Sequence, residues 1–270
     1  MDRVKRICGY ISKMRHAVIR MRVDEPDHSD IPETKYDWEY TCYHGAEELI
    51  PEDCPRPLGK RVLHTCYVDA NLQHDLISGK SCTGVLHMAN KSVVDFSTKL
   101  QATVETATFG SEYVAARTAT EQIIDIRNTF RYLGVLVDQP TVMFGDNESV
   151  VNTAMQPHSR LAKRHNALAH HKTRSSIAAR ILRFIHVRGV TNPSDVLSKH
   201  WDYASVRAVL RPLLFWRGDT ADIASAVVKD EVIEPEGQPP ETVRQGLDSE
   251  GSDKRTLSPT TNSPGLSPSK

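Results

Sequence analysis

Four acids, Asp69, Glu112, Asp146 and Asp195, stand where a carboxylate does chemistry rather than merely solvating a surface. Asp69 lies at the end of Arg61–Ala70 (RVLHTCYVDA), a run in which Val62, Leu63, Cys66, Tyr67 and Val68 are apolar or β-prone and no Gly or Pro intervenes. Such a run predicts a central strand covered on both faces. A carboxylate at the end of a buried strand costs desolvation unless a metal, a basic partner or a substrate meets it. Asp146 follows a second short strand, Thr141–Phe144. Glu112 lies in the first turn of one helix and Asp195 in the first turn of another. Four carboxylates at one point repel one another and call for cations, and Mg²⁺ or Mn²⁺ suits an all-oxygen ligand set. Two such ions about 3.5–4 Å apart activate a water and stabilise the leaving oxygen of a phosphodiester. Any one of these acids alone is more often a helix cap or a surface charge. The reading rests on all four holding matching topological positions.

The elements that must position them follow in order. After the Asp69 strand, Cys82–Met88 and Val93–Thr98 predict a β-hairpin with Asn90-Lys91 at its turn. Thr108–Leu133 predicts a long helix with Tyr113, Ala116, Ile123, Phe130 and Leu133 on its apolar face. Thr108 or Ser111 is its expected N-cap and Gly134 its stop. Glu148–Met155 predicts a short helix. Ser159–Arg180 predicts a longer one carrying Arg160, Lys163, Arg164, His165, His170, His171, Lys172 and Arg174. Ile181–Val187 predicts a third apolar strand, Pro193 opens a helix through Asp195, and Trp201–Trp216 reads as one more amphipathic segment. This order predicts an α/β fold, a mixed sheet with helices packed on both faces. In open α/β sheets, ligands bind outside the strand ends, where Asp69 and Asp146 fall.

The flanks are different in kind. Residues 1–22 predict an amphipathic helix through Val4, Ile7, Ile11, Met14, Val18 and Met21, whose apolar face needs a surface to cover. Residues 23–60 are rich in Pro and charge and read as an irregular connector. Residues 218–270 have too few large apolar side chains to offset ordering entropy and read as a disordered tail. The balance of 34 basic and 34 acidic residues hides an asymmetry. Gln156–Arg217 holds twelve Lys/Arg against two Asp, whereas 218–270 holds ten acids against five bases. The basic half predicts a polyanion partner, a nucleic acid. No apolar run approaches the roughly 20 residues of a membrane helix. Five irregularly spaced cysteines fit reduced thiols of an intracellular protein, in cytoplasm or nucleus. Cys42, His44 and Cys54 lack a fourth zinc ligand at a recognisable spacing and read as plain residues.

The acids and their flanks, taken together, resemble the ribonuclease H domain of Ty1/copia-type retrotransposon polyproteins. The resemblance runs through Tyr67-Val68-Asp69-Ala70, Ser81-Cys82-Thr83-Gly84-Val85, Gln101-Ala102-Thr103-Val104, Glu112-Tyr113 and Asp146-Asn147-Glu148-Ser149. It continues through His158-Ser159-Arg160, Arg164-His165 and Ser194-Asp195-Val196-Leu197-Ser198-Lys199. It covers about residues 1–215, each piece weak alone and the ordered set specific. Tyr67-Val68-Asp69 is not a polymerase site, because Ala70 follows and no second acid is adjacent. The resemblance implies three segments: the end of a reverse transcriptase region at 1–60, a ribonuclease H-like domain at 61–217 and the tail at 218–270. It implies an endonuclease that hydrolyses the RNA strand of RNA–DNA hybrids by a two-metal mechanism. Asp69, Glu112, Asp146 and Asp195 would then be both catalytic and metal-holding, on two Mg²⁺ or Mn²⁺ ions. Arg160, Lys163, Arg164, His165, Lys172 and Arg174 would hold nucleic acid, and the rest of the polyprotein would be a partner. His186 and Arg188 are candidates for product release or proton transfer. The alternative is a non-catalytic nucleic-acid-binding or structural remnant of such an element.

Overall fold

The structure, a computed structural model, describes residues 2–13, 18–19, 21–32, 36–161, 164–210 and 213–215. The chain divides into two units, 1–223 and 224–270, and the tail expected at 218–270 lies outside the described residues.

Five strands form the central sheet: β2 (His64–Asn71), β3 (Cys82–Ala89), β4 (Ser92–Leu100), β5 (Thr141–Gly145) and β6 (Leu182–His186), in the order β4-β3-β2-β5-β6. The β2–β3 and β3–β4 pairs are antiparallel, and the β2–β5 and β5–β6 pairs are parallel. Helices α2 (Thr108–Tyr132), α3 (Glu148–Met155) and α4 (Ala167–Ala178) cover one face, and α5 (Asp195–Ser198) lies against the other. This is the mixed sheet, with helices on both faces, that the sequence predicts. Cys66, Val68 and Ala70 of β2 alternate into the core, where they meet Tyr113, Ala116, Ala119 and Ile123 of α2. The small side chains of Ala115, Ala116 and Ala119 let α2 lie close to the sheet.

Several boundaries differ from expectation. The strand containing Asp69 begins at His64 and continues to Asn71, so Asp69 sits within it. Its parallel ladder to β5 covers only Thr65–Tyr67, however, so on that side pairing stops before Asp69. The hairpin turns at Asn90, whose positive φ of 54° suits an asparagine. Helix α2 starts from Ala107 without a side-chain cap, and Ser111 instead donates back to the Thr108 carbonyl. Gly134, at φ +71°, ends it as expected: its N–H meets the Arg131 carbonyl and that of Val135 meets Phe130, a Schellman closure. Leu133 is exposed, and the buried positions near this end are Arg127 and Arg131. The long helix expected over 159–180 is shorter. It begins with a 3₁₀ turn at Arg164–Asn166 before α4, and residues 157–161 are irregular.

At the amino end, α1 spans Asp2–Lys13 and Val4, Ile7 and Ile11 are exposed, so the expected apolar face is uncovered among the described residues. Val18–Ile19 (β1) is not helical. Its β-branched pair joins a two-stranded antiparallel sheet with β7 (Leu214–Phe215), beyond α6 (Tyr203–Leu210). The described parts of 21–60, 21–32 and 36–60, are irregular and tied to the sheet and helices like a belt. Arg22 bonds Ser92, Arg183 donates to the Pro32 carbonyl, and Tyr36 and Trp38 pack on the core. Tyr43 bonds His171, Glu48 holds Arg127 and Arg131, and Tyr132 donates to Asp53.

A buried polar chain links five elements, α2, β4, β3, β2 and β5. Gln122 Nε2 donates to Ser97 Oγ (3.1 Å), so its Oε1 accepts from His87 Nε2–H (3.1 Å). His87 Nδ1 is then bare and accepts from His64 Nε2–H (3.2 Å), and His64 Nδ1 accepts from the Thr141 hydroxyl (3.0 Å). Thr141 Oγ1 in turn accepts from Arg127 (3.3 Å). Every bare nitrogen is occupied, so an added proton finds no acceptor. Burial pushes the His64 pKa well below its usual value, with His87 and Arg127 adding to this. Burial also lowers that of His87, against weaker raising by Gln122 and Asp95. A lowered folded-state pKa in a base gives stability that is full above pH 6.5 and lost as pH falls below it. Urea midpoints at pH 7.5 and 5.5 should therefore fall more for the natural protein than for His87→Gln. The slope difference should approach about 1.4 kcal/mol per pH unit for the one group removed. Equal slopes would show that the pair takes up protons without disruption.

Candidate metal centre

Asp69, Glu112 and Asp146 come together: one carboxylate oxygen from each lies within 4.8 Å of the others. Each arrives from a different element. Asp69 alternates with Val68 and Ala70 and so faces the α5 side of β2. Glu112 is the fifth residue of α2, one step beyond the expected first turn. Asp146 follows β5 directly, where the chain turns into α3, and Asn147 caps that helix by accepting from Val150 N–H at 3.2 Å. Asp69 and Glu112 are buried and Asp146 is partly open. A cavity of 470 Å³ is lined by Glu112, Asp146, Glu148 and Lys199.

Asp195 is buried but is not a member of this trio; an ammonium joins it to the rest. Lys199 Nζ bonds Asp195 and lies 3.4 Å from Asp69 Oδ1, and Ser198 donates to Asp69 Oδ2. Burial pushes the Asp69 pKa up to about 6. Ser198 and Lys199 pull it down, while Asp195 and Asp146 add to the rise. Glu112 is raised well above the usual range, first by burial, then by the Asp69 and Asp146 charges. Burial would lower the Lys199 pKa, but Asp195 and Asp69 outweigh it and hold the ammonium above its ordinary value. The donor set suits a hard divalent cation: three carboxylates, all oxygen, under mutual repulsion that a cation would relieve. Among the described residues no cysteine–histidine group gathers in this way.

Residues outside the predicted set complete the surroundings. Gly84 pairs directly opposite Asp69 in the ladder, and a Cβ there would come within 2.8 Å of Leu197 Cβ and the Ser194 carbonyl. The missing side chain is what lets α5 bring Ser198 and Lys199 onto Asp69. Asn192, 2% exposed, fixes the lead-in to α5 by donating to the Val68 carbonyl (3.0 Å) and accepting from Ser194. Gly84, Ser198 and Lys199 all lie in segments that carried the resemblance; nothing in the sequence marks Asn192. Gly84→Ala should cost about 1–3 kcal/mol through overpacking. By pushing α5 away it should also weaken divalent-cation binding at the three acids, as calorimetric titration would read. Unchanged stability and affinity would mean that α5 has room to shift.

His186 Nε2 lies 3.2 Å from the Asp146 backbone carbonyl, and Arg188 is exposed. Among the basic residues, Arg160, Arg164 and His165 are exposed, with His165 3.1 Å from Glu105, and Lys172 is half-buried. Lys163 lies outside the described residues. Arg174 does not belong to an exposed phosphate-holding face. It is 2% exposed, and its guanidinium donates to the carbonyls of Thr153 (2.6 Å), Gln156 (2.7 Å) and Pro157 (2.6 Å). It holds the irregular 157–161 loop in place.

Solved structures of similar shape include an RNase H1 and a viral protease-reverse transcriptase. One is LC11-RNase H1 in complex with RNA/DNA hybrid: 19% identity, TM-score 0.40, covering 50% of this chain and 92% of that one. Another is the foamy viral protease-reverse transcriptase in complex with RNA/DNA hybrid: 12% identity, TM-score 0.37, covering 60% and 23%. In sequence, the chain is similar to the retrovirus-related Pol polyprotein from transposon TNT 1-94 of Nicotiana tabacum, 26% identical over 133 residues. That match covers 49% of this chain and 10% of the polyprotein. No family model matches.

Proposed function

We propose that this chain is the ribonuclease H domain of a Ty1/copia-type retrotransposon polyprotein and hydrolyses the RNA strand of RNA–DNA hybrids. The observation that carries the reading is the meeting of Asp69, Glu112 and Asp146, from three separate elements, within 4.8 Å at one edge of the sheet. These three would hold Mg²⁺ or Mn²⁺, two ions in our reading, with Asp195 beside them. Bound there, the ions would supply an activated water and charge stabilisation at the leaving oxygen. The protein's own part is to aim the carboxylates, through the β2 ladder, α2 and the Asn147 cap, and to bring Lys199 against Asp69 and Asp195. Arg160 and Arg164 would hold phosphates, and the 2′-hydroxyl with its minor-groove shape would mark the RNA strand. The rest of the polyprotein is the proposed covalent partner, and five free cysteines fit the reducing interior of a cell. No described helix is long and apolar enough to cross a membrane.

The test is Mg²⁺-dependent cleavage of an RNA–DNA hybrid beside single-stranded RNA and duplex DNA. Cutting confined to the RNA of the hybrid is expected. No cutting in either Mg²⁺ or Mn²⁺, or equal cutting of all three, would sink the proposal.

A further inference from the structure

Arg174 is a buried cation that faces no carboxylate among the described residues. Carbonyl dipoles, together with the Trp38 and Tyr43 rings 4.9 and 5.3 Å from its centre, offset the charge only in part, and its Nε has no partner. Buried charges are ordinarily paired, because leaving one uncompensated is expensive. Beside it lies a cavity of 340 Å³ between the 40–43 segment of the belt, the 157–161 loop and α4. Arg160, His158, His170 and His171 line it together with Arg174, and no Asp or Glu does. His170 is 4% exposed and its Nδ1 is unpartnered. The Tyr43 hydroxyl bonds His171 Nδ1 (2.7 Å), so His171 Nε2 lies outside that bond. Tyr40, 82% exposed, stands at the same cavity.

We propose that this cavity is a phosphate-binding subsite for a nucleic-acid strand, distinct from the three-acid centre, with a neighbouring base stacked on Tyr40. Guanidinium and imidazole N–H groups complement a phosphate, and an exposed aromatic ring is a platform for any base. The choice of a nucleic acid as the phosphate's source rests on the proposed function; the phosphate chemistry does not. Helix α3 leads from the acid centre to this loop, and its eight residues span about 12 Å. One strand would therefore be gripped a few nucleotides from the point where it is cut.

The experiment uses the full chain in EDTA, so that nothing is cleaved, and follows the His170 and His171 ring resonances by NMR. The probes are inorganic phosphate, adenosine and a single-stranded DNA pentanucleotide. The pentanucleotide should shift both rings saturably, phosphate should do so more weakly, and adenosine should not. Arg160→Ala and Tyr40→Ala change exposed side chains, and each should weaken the pentanucleotide at least about fivefold. No shift with the pentanucleotide, a response to phosphate alone, or equal binding by Arg160→Ala would overturn the subsite. Hybrid cleavage without the ring shifts defeats the subsite and leaves the proposed function standing. Ring shifts without hybrid cleavage do the reverse.

Discussion

Asp146→Asn is expected to abolish Mg²⁺-dependent hybrid cleavage, a loss of at least about 100-fold, while making the metal-free protein more stable. Two carboxylates about 4 Å apart repel by roughly 4 kcal/mol at an effective dielectric near 20, an upper bound before relaxation and protonation. Removing the Asp146 charge relieves both Glu112 and Asp69, whose pKa values it helps to raise. A net gain of about 0.5–2 kcal/mol follows as a discounted share of that bound. The pH dependence has a definite sign. Asp69, at about 6 in the folded protein against an ordinary 3.8, contributes stability that is full below pH 3.8 and lost as pH rises through 6. At pH 7 this amounts to at most about 3 kcal/mol, and it should shrink in the variant. Thermal melts at pH 7 with and without Mg²⁺ supply the check, since a ligand bound only to the folded state raises its midpoint. Mg²⁺ should raise the natural protein's midpoint more than the variant's. A destabilised but fully active Asp146→Asn would reduce Asp146 to a structural residue.

The second large effect is expected at Glu48, far from the acids in sequence. Its carboxylate accepts from Arg127 Nε (2.7 Å) and Nη2 (2.8 Å), and Arg131 Nη2 lies 2.8 Å away. Burial raises the Glu48 pKa, but the two arginines outweigh it and hold the carboxyl below its usual range. The Arg127 side chain is only 2% exposed. Glu48→Ala strands that guanidinium and should cost about 3–5 kcal/mol, read as a lower urea midpoint. Glu48→Gln keeps a hydrogen-bond acceptor and should lose less. A fragment of 61–217, the domain boundaries expected from sequence, lacks Glu48 and should be less stable than 21–217. A loss below about 1 kcal/mol in Glu48→Ala would mean that water reaches Arg127 and the belt is not a structural support.

Glu48 also shows where sequence reasoning stops. Helix α3 was legible to the residue, because Asn147 before Glu148 announces a cap and Val150, Val151 and Ala154 repeat at helical spacing. Asp69, Glu112 and Asp146 were legible because acids near strand ends and helix starts gather at a sheet edge, although Asp69 lies inside its strand and Glu112 one step past the first turn. Arg127 and Arg131 were not, because a charged residue reads as exposed unless its partner is known, and that partner lies 79 residues away. Arg174 is a related case: in a basic run it reads as an exposed side chain, yet backbone carbonyls and rings from the belt bury it. Helix α1 failed in the opposite direction, since its periodicity was correct and the surface it was expected to cover is not present among the described residues. Periodicity reports what one segment can bury; it is silent on what arrives to bury it.

The belt also sets an order of events during synthesis. It leaves the ribosome ahead of the sheet, but its anchors come late: Tyr43 waits for His171, 128 residues on, and Pro32 waits for Arg183, 151 residues on. At about 5–20 residues per second, Tyr43 spends roughly 6–26 s without its partner. Throughout that interval Tyr36, Trp38 and Tyr43 have no native surface to meet, and closing such long loops is a slow step. Chaperone dependence and aggregation of the nascent chain should therefore centre on this segment, and should ease once the codons for α4 and β6 have been read.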